Sequence, residues 1–412
     1  FNISRILIKM HYISVLNGIT GFEESKTRLE QLGLIVKEYD NLYLVKYDKT
    51  HSNMEHEDVL ICRGVILEKN TNRLVCISPP KSIPVDFYHT KYLGKNSEGV
   101  LIEEFYDGTM INVFRYNDTN YISTRSCLGA HNKYRSIKTF KTLFSECIDF
   151  DVFEKLASGH CYSFLLQHPD NKIVKQYDIP SNVLVMTTKI NEDNSVTILN
   201  PEETLNLLQS CNVELSTPRL FEIDSMESIY SELDNLNDSD QGFVLKYYEN
   251  GSDNRSKIRN LKYNDIRKLR GNDTNKMFMY FELRKKNNVV EYLEYFPEDK
   301  ELFDKFRFEL YDFTSKLFKY YLELKVKKNI KFLEIDFEYR PMINDLHEIY
   351  VSSNKQITKQ TVIRYLHNLD SARILFVLNY SKKSKNTNSN VDSTSSKPEQ
   401  LMSIKEYPVL KN

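Results

Sequence analysis

Tryptophan is absent from the 412 residues, and so is any excess of charge of one sign: 56 Lys and Arg stand against 57 Asp and Glu, a formal net charge of −1. That balance argues against binding nucleic acid by bulk basicity, so an RNA or DNA site has to be a local patch. Cysteine is sparse: six, at 62, 76, 127, 147, 161 and 211, with no C-x-x-C pair. Scattered thiols argue against a disulfide scaffold or a zinc site and suit a reducing compartment, so a cytoplasmic or other reducing intracellular location is expected. No apolar run approaches the roughly 20 residues that span a bilayer, so no membrane partner is expected. No signal-peptide pattern is recognised at the opening. His51 and His56 share a polar loop, which by itself is weak ground for a metal. Asn, Lys, Ile and Tyr are abundant, a composition that suggests an AT-rich source genome.

What is present sorts into two textures. The length allows two or three domains. Through residue 271 the chain alternates short β-branched runs with turn residues. Leu101–Tyr116 reads as strand, tight turn at Asp107-Gly108, strand, and Tyr121–Ser126 reads as the next strand of the meander. Val59–Glu68 reads as a strand with Arg63 in its middle. A guanidinium among apolar neighbours either reaches water from an edge strand or meets a phosphate or carboxylate in a cleft. Ser136–Ile148 reads as a helix, Cys161–Gln167 as a buried strand and Lys172–Val174 as its return. Gly242–Tyr247 and Ser256–Asn260 read as strands, and Lys262–Arg270 as a basic helix ended by Gly271. After 271, Lys276–Tyr295 and Pro297–Val326 carry helical periodicity. Phe303, Phe306, Phe313, Tyr320 and Tyr321 fit its core better than a base-stacking surface. Thr358–Leu369 and Ser371–Tyr380 continue the helices. The expected division is an α+β, antiparallel β-rich domain over 1–271, an all-α domain over 275–380, a disordered Ser/Asn/Lys-rich linker over 381–400 and a tail over 401–412.

Several short segments, in order over 43–271, resemble the nucleotidyltransferase domain of ATP-dependent RNA ligases, the group typified by the phage tRNA-repair ligase. Cys62-Arg63-Gly64 resembles the strand with an upstream Arg-Gly. Phe105-Tyr106-Asp107-Gly108 stands where the family has Lys-x-Asp-Gly. Ser123-Thr124-Arg125-Ser126 resembles the following Thr-Lys/Arg strand, and Phe164–Val174 the third motif with its Pro-x-Asn-Arg-Ile-Val tail. Gln241-Gly242-Phe243-Val244 resembles Glu-Gly-Phe/Tyr-Val, and Lys257-Ile258-Arg259 the closing Lys-x-Lys. The resemblance implies a lysine amine that attacks the α-phosphorus of ATP, acids that hold Mg2+ and ribose, and cations that hold phosphate. It assigns phosphate contact to Arg63, Lys257 and Arg259, with Arg125 and Lys81 as further candidates, and has Asp107 orient the turn or contact the ribose.

The chain departs from this pattern at its reacting positions. Phe105 replaces the lysine nucleophile, Leu165 falls where the third motif has an acid, and Gln241 replaces the acid of the fourth. Gln241 can offer a metal only a neutral amide oxygen. Three functions follow. The first is a degenerate ligase-family fold that binds nucleotide or RNA ends. The second is an active ligase, using ATP and Mg2+, with its nucleophile displaced to Lys81, Lys91 or Lys95. The third is a structural or assembly factor, for example a viral one, that recruits a protein partner through the helical domain.

Overall fold

The computed structural model describes residues 13–93, 99–222 and 225–388, with backbone alone at 93 and 381–388. The chain forms two compact units, 1–274 and 275–412. The architecture is α+β: antiparallel sheets occupy the first unit, and the described part of the second is helical.

The first unit carries three sheets. β1 (Leu34–Glu38), β2 (Leu42–Tyr47), β3 (Arg63–Glu68) and β4 (Leu74–Cys76) pair in sequence order. β5 (Val100–Glu104) belongs to the third sheet. β6 (Thr109–Tyr116), β7 (Thr119–Thr124), β8 (Cys127–Leu128), β9 (His160–Gln167), β10 (Ser181–Ile190) and β11 (Val196–Ile198) form the second, in the order β11-β10-β9-β6-β7-β8. With β12 (Leu220–Phe221), β13 (Gly242–Glu249) and β14 (Ser252–Arg259), the third sheet runs β12-β5-β13-β14.

Strand alternation builds the cores. Along β2, Tyr43 and Val45 enter one cluster with Leu29, Val65 and Ile198, while Leu42 and Leu44 enter another with Phe114, Tyr116 and Cys161. The first sheet is thus buried on both faces, which is why its strands read as nearly continuous apolar runs. On β6, Ile111 and Val113 turn the other way, onto Phe140, Phe144 and Phe153. In the third sheet, Ile102, Phe243, Leu245 and Ile258 face a core with Tyr88 and Ile229. Its opposite face is charged.

The central expectation for Leu101–Tyr116 is corrected. β5 and β6 do not pair with each other. β5 lies between β12 and β13, with Val244 opposite Glu103, while β6 lies between β7 and β9. Phe105–Gly108 is therefore a crossing from one sheet to another and not a hairpin turn. Gly108 does not have the positive φ that a primed turn needs. Glycine is required there by closeness, because a Cβ would stand 2.7 Å from the Leu166 carbonyl oxygen. Gly108→Ala should lower stability by about 1–3 kcal/mol, read from the midpoint of urea unfolding.

Other boundaries move as well. Residues 57–61 are helical before β3 begins, and β3 is an internal strand, so Arg63 is not an edge residue. Lys172–Val174 is irregular, and β9 takes β10 as its return strand instead. The expected helix over 136–148 contracts to Phe140–Ser145 with Thr139 as its cap.

In the second unit, the stretch read as one helix over 276–295 divides into Lys276–Lys285 and Val289–Tyr295, with Asn287 in the left-handed region between them. Lys300–Tyr321 buries Phe303, Phe306, Phe313 and Tyr321, as the periodicity predicts. Arg340–Ser353, with Pro341 in its first turn, is a helix that the sequence reading did not identify. The helix from Ser371 extends to Asn388, so the stretch read as a linker from 381 begins inside it. The remainder of that linker and the tail lie outside the described residues. No described helix is long and apolar enough to cross a membrane.

Candidate functional site

The charged face of the third sheet and the crossing from β5 to β6 bound a cleft of about 630 Å³ in the first unit. Strand alternation places its side chains. Ile258 points to the core, so Arg255, Lys257 and Arg259 share the cleft face of β14; Phe243 and Leu245 point to the core, so Val244 and Lys246 share that of β13. Arg63 enters from β3, and Arg125 from the end of β7. Gly64 lets the two chains touch: with φ at +97°, its Cβ would lie 2.6 Å from the Arg125 Cα.

Asp107 lines the cleft but is tied into the protein. Oδ1 accepts the Tyr263 hydroxyl at 2.8 Å, and Oδ2 accepts the backbone N–H groups of Val174 and Lys175 at 2.9 and 3.0 Å. Its carbonyl accepts Tyr177 and Gln167. A carboxylate only 4% exposed is satisfied by three donors and fixes both the crossing and the 174–175 loop. At the end of the expected strand Lys172–Val174, the Val174 N–H, like that of Lys175, serves Asp107 and not a strand ladder. A ribose contact would compete with these bonds.

Phe105 holds its backbone N–H on the Gly242 carbonyl at 2.9 Å. Its ring sits beneath two cations, with Lys257 Nζ 4.5 Å and Arg259 Cζ 5.6 Å from the centroid. Burial, and then the charges of Arg255, Arg125, Arg63 and Arg259, push the Lys257 ammonium down to about 6. Burial first, and then Arg63, push Arg125 down to about 9, and its Nε has no hydrogen-bond partner. Arg63 Nη1 donates to the Pro79 and Pro80 carbonyls at 3.1 and 2.8 Å, neutral acceptors that leave its charge uncompensated. Arg255, by contrast, is paired with Asp253, Nε to Oδ1 at 2.6 Å. Lys246 is paired with Glu103 at 2.7 Å, and both side chains are almost fully buried.

The cleft therefore collects Arg63, Phe105, Asp107, Gly108, Arg125, Gln241, Lys257 and Arg259, together with Leu165. It does not collect Lys81, which is exposed and outside the lining. Lys91 also stands outside, over the rings of Phe87 and Tyr92, and Lys95 lies outside the described residues. Of the basic helix Leu261–Arg270, Arg267 and Lys268 line the cleft, whereas Lys262 pairs with Asp238. Sequence reasoning missed Arg255, Lys246 and Glu103. The period of two from Lys257 points to Arg255, but nothing local pairs Glu103 with Lys246.

No protein-family model matches the chain. It is 24% identical over 242 residues to a protein of Autographa californica nuclear polyhedrosis virus named as a bifunctional polynucleotide kinase/RNA ligase, covering 53% of this chain and 33% of that one. It is 24% identical over 233 residues to an RNA ligase of Rhodothermus phage RM378, covering 46% of this chain and 51% of that one. The chain is similar in sequence to RNA ligases over about half of its length. It spans about a third and about half of the length of these two relatives. Among solved structures, an archaeal ATP-dependent RNA ligase matches at 16% identity over 68% of this chain and 73% of its own, with a TM-score of 0.45. A Naegleria gruberi RNA ligase with PPi matches at 12% identity over 46% and 58%, with a TM-score of 0.36. Each segment that resembles an RNA-ligase motif, from Arg63 to Arg259, sends at least one residue into the cleft.

The divalent cation that RNA-ligase chemistry implies does not fit the side chains of this cleft. Its carboxylates are Glu103, Glu104 and Asp107. Glu103 is taken by Lys246 and Asp107 by three donors, which leaves the half-buried Glu104 as the single carboxylate of the cleft lining held by neither a cation nor buried donors. Elsewhere among the described residues, Glu146, His168 and Asp170 have metal-ligand spacing. Lys138 already bridges those two carboxylates, at 2.9 and 3.0 Å.

Proposed function

We propose that the first unit is a ligase-type nucleotidyltransferase fold that binds the phosphate groups of a nucleotide or an RNA 5′ end, and forms no covalent adduct at position 105. One observation carries this reading: Arg63, Arg125, Lys257 and Arg259 line one cleft, the last two over the Phe105 ring, and none has a carboxylate partner among the described residues. Grouping three arginines and a lysine in a half-buried cleft raises the free energy of the empty protein, as repulsion among the guanidinium groups and as the lowered proton affinity of Lys257, and an anion of matching shape removes that cost. Arginine forks suit phosphate oxygens. The phenyl ring of Phe105 has no amine to attack phosphorus, so the bond that begins ligation in the family has no donor at that position.

The test uses α-labelled ATP, and separately GTP, with Mg2+ or Mn2+. The expected result is no labelled protein band on a denaturing gel, together with saturable nucleotide or RNA-end binding at equilibrium. A labelled band would overturn the non-covalent reading, and absence of any binding would overturn phosphate recognition itself.

A further inference from the structure

We propose that this cleft takes its phosphate ligand free of divalent metal, as a nucleotide polyphosphate or a terminal phosphate monoester that the cations contact directly. The inference rests on the phosphate-binding reading above and adds the chemical form of the ligand.

The donor set argues it. Mg2+ requires near-octahedral oxygen ligands and is held in nucleotide sites by at least one available carboxylate together with phosphate oxygens. Here Glu103 already carries the Lys246 ammonium at 2.7 Å in a site nearly closed to water. Freeing Glu103 for a metal would strand a buried ammonium without its counter-ion. Freeing Asp107 would leave the Tyr263 hydroxyl and two backbone N–H groups without acceptors and would loosen the crossing that shapes the cleft. Glu104 is then the single carboxylate left to a metal, among nine Lys and Arg side chains of the lining, while Gln241 offers a neutral amide and Leu165 no donor.

The charge balance agrees with the donors. Nine Lys and Arg side chains line the cleft against three carboxylates. Such a field repels a divalent cation and attracts a polyanion. A metal already bound to the phosphates cancels part of the charge that the arginines recognise, and it occupies oxygens they would contact. Metal and cleft therefore compete for the same phosphate oxygens.

The experiment is equilibrium binding of ATP to the full chain, by calorimetry, in EDTA and then with Mg2+ in excess over ATP at constant ionic strength. The same pair of conditions is applied to a short oligoribonucleotide with and without its 5′-phosphate, which separates a nucleotide ligand from an RNA end. The expected result is binding in EDTA that Mg2+ weakens by about threefold or more. Gln241→Glu, which adds a carboxylate to the cleft, should shrink or reverse that Mg2+ effect. Binding that requires Mg2+ or is strengthened by it overturns the inference and leaves phosphate recognition standing. No binding of either probe in either condition removes phosphate recognition itself.

Discussion

Arg125→Gln is expected to lower the affinity of the protein for ATP by about tenfold to a hundredfold, the weight of one charge-assisted hydrogen-bonding group in a desolvated site. The same substitution raises the melting temperature of the ligand-free protein, by an amount equivalent to about 1 kcal/mol. The two effects have one cause. Arg125 is largely buried beside Arg63, no carboxylate balances it, and its Nε lacks a partner, so the empty cleft carries an unfavourable charge that only a ligand relieves. Isothermal titration with ATP and thermal unfolding without it check both halves. A variant that melts lower and binds ATP unchanged would sink the assignment of Arg125 to phosphate.

Binding of ATP near neutral pH is expected to take up a proton, approaching one per site, and Lys257→Met to abolish the uptake. In the empty cleft, burial and four arginines hold the Lys257 ammonium down to about 6. A phosphate anion beside it reverses that balance and draws the proton back. Between the empty and the ligated pKa, affinity falls as pH rises, by up to about tenfold per unit. For stability the sign runs the other way. The folded value lies below the unfolded one, so between pH 6 and the ordinary lysine range the unfolded chain binds more protons. The ligand-free protein then gains stability as pH rises, with a slope approaching about 1.4 kcal/mol per unit, and loses it as pH falls toward 6. Calorimetry in two buffers of different ionisation enthalpy measures the uptake. An observed heat that does not depend on the buffer would remove Lys257 from the site.

Where interactions are local or periodic, the sequence was sufficient. The helical texture after 271 and the aromatic core of Phe303, Phe306 and Phe313 follow from spacing along one chain segment. Arg63, Lys257 and Arg259, grouped beforehand by the motif resemblance, do share one cleft, Lys257 and Arg259 by alternation on one strand and Arg63 from a strand whose apolar run it interrupts. What failed was pairing between distant segments. Leu101–Tyr116 has the composition of a hairpin, yet the partners of β5 lie more than a hundred residues downstream. Asp107 looked like a turn residue or a ribose ligand, because neither Tyr263 nor the 174–175 amides can be foreseen as its partners. Lys81 is near the crossing in sequence and away from the cleft in space.

The short crossing at Phe105–Gly108 has a mechanical consequence. It hands the chain from the third sheet to the second, and the cations stand on either side of it: Arg63 and Arg125 on the first two sheets, Lys257 and Arg259 on the third. A phosphate gripped from both sides is a non-covalent strut across that seam. Such a strut would stiffen the unit when the cleft is occupied, and opening of the seam would then favour release of the ligand.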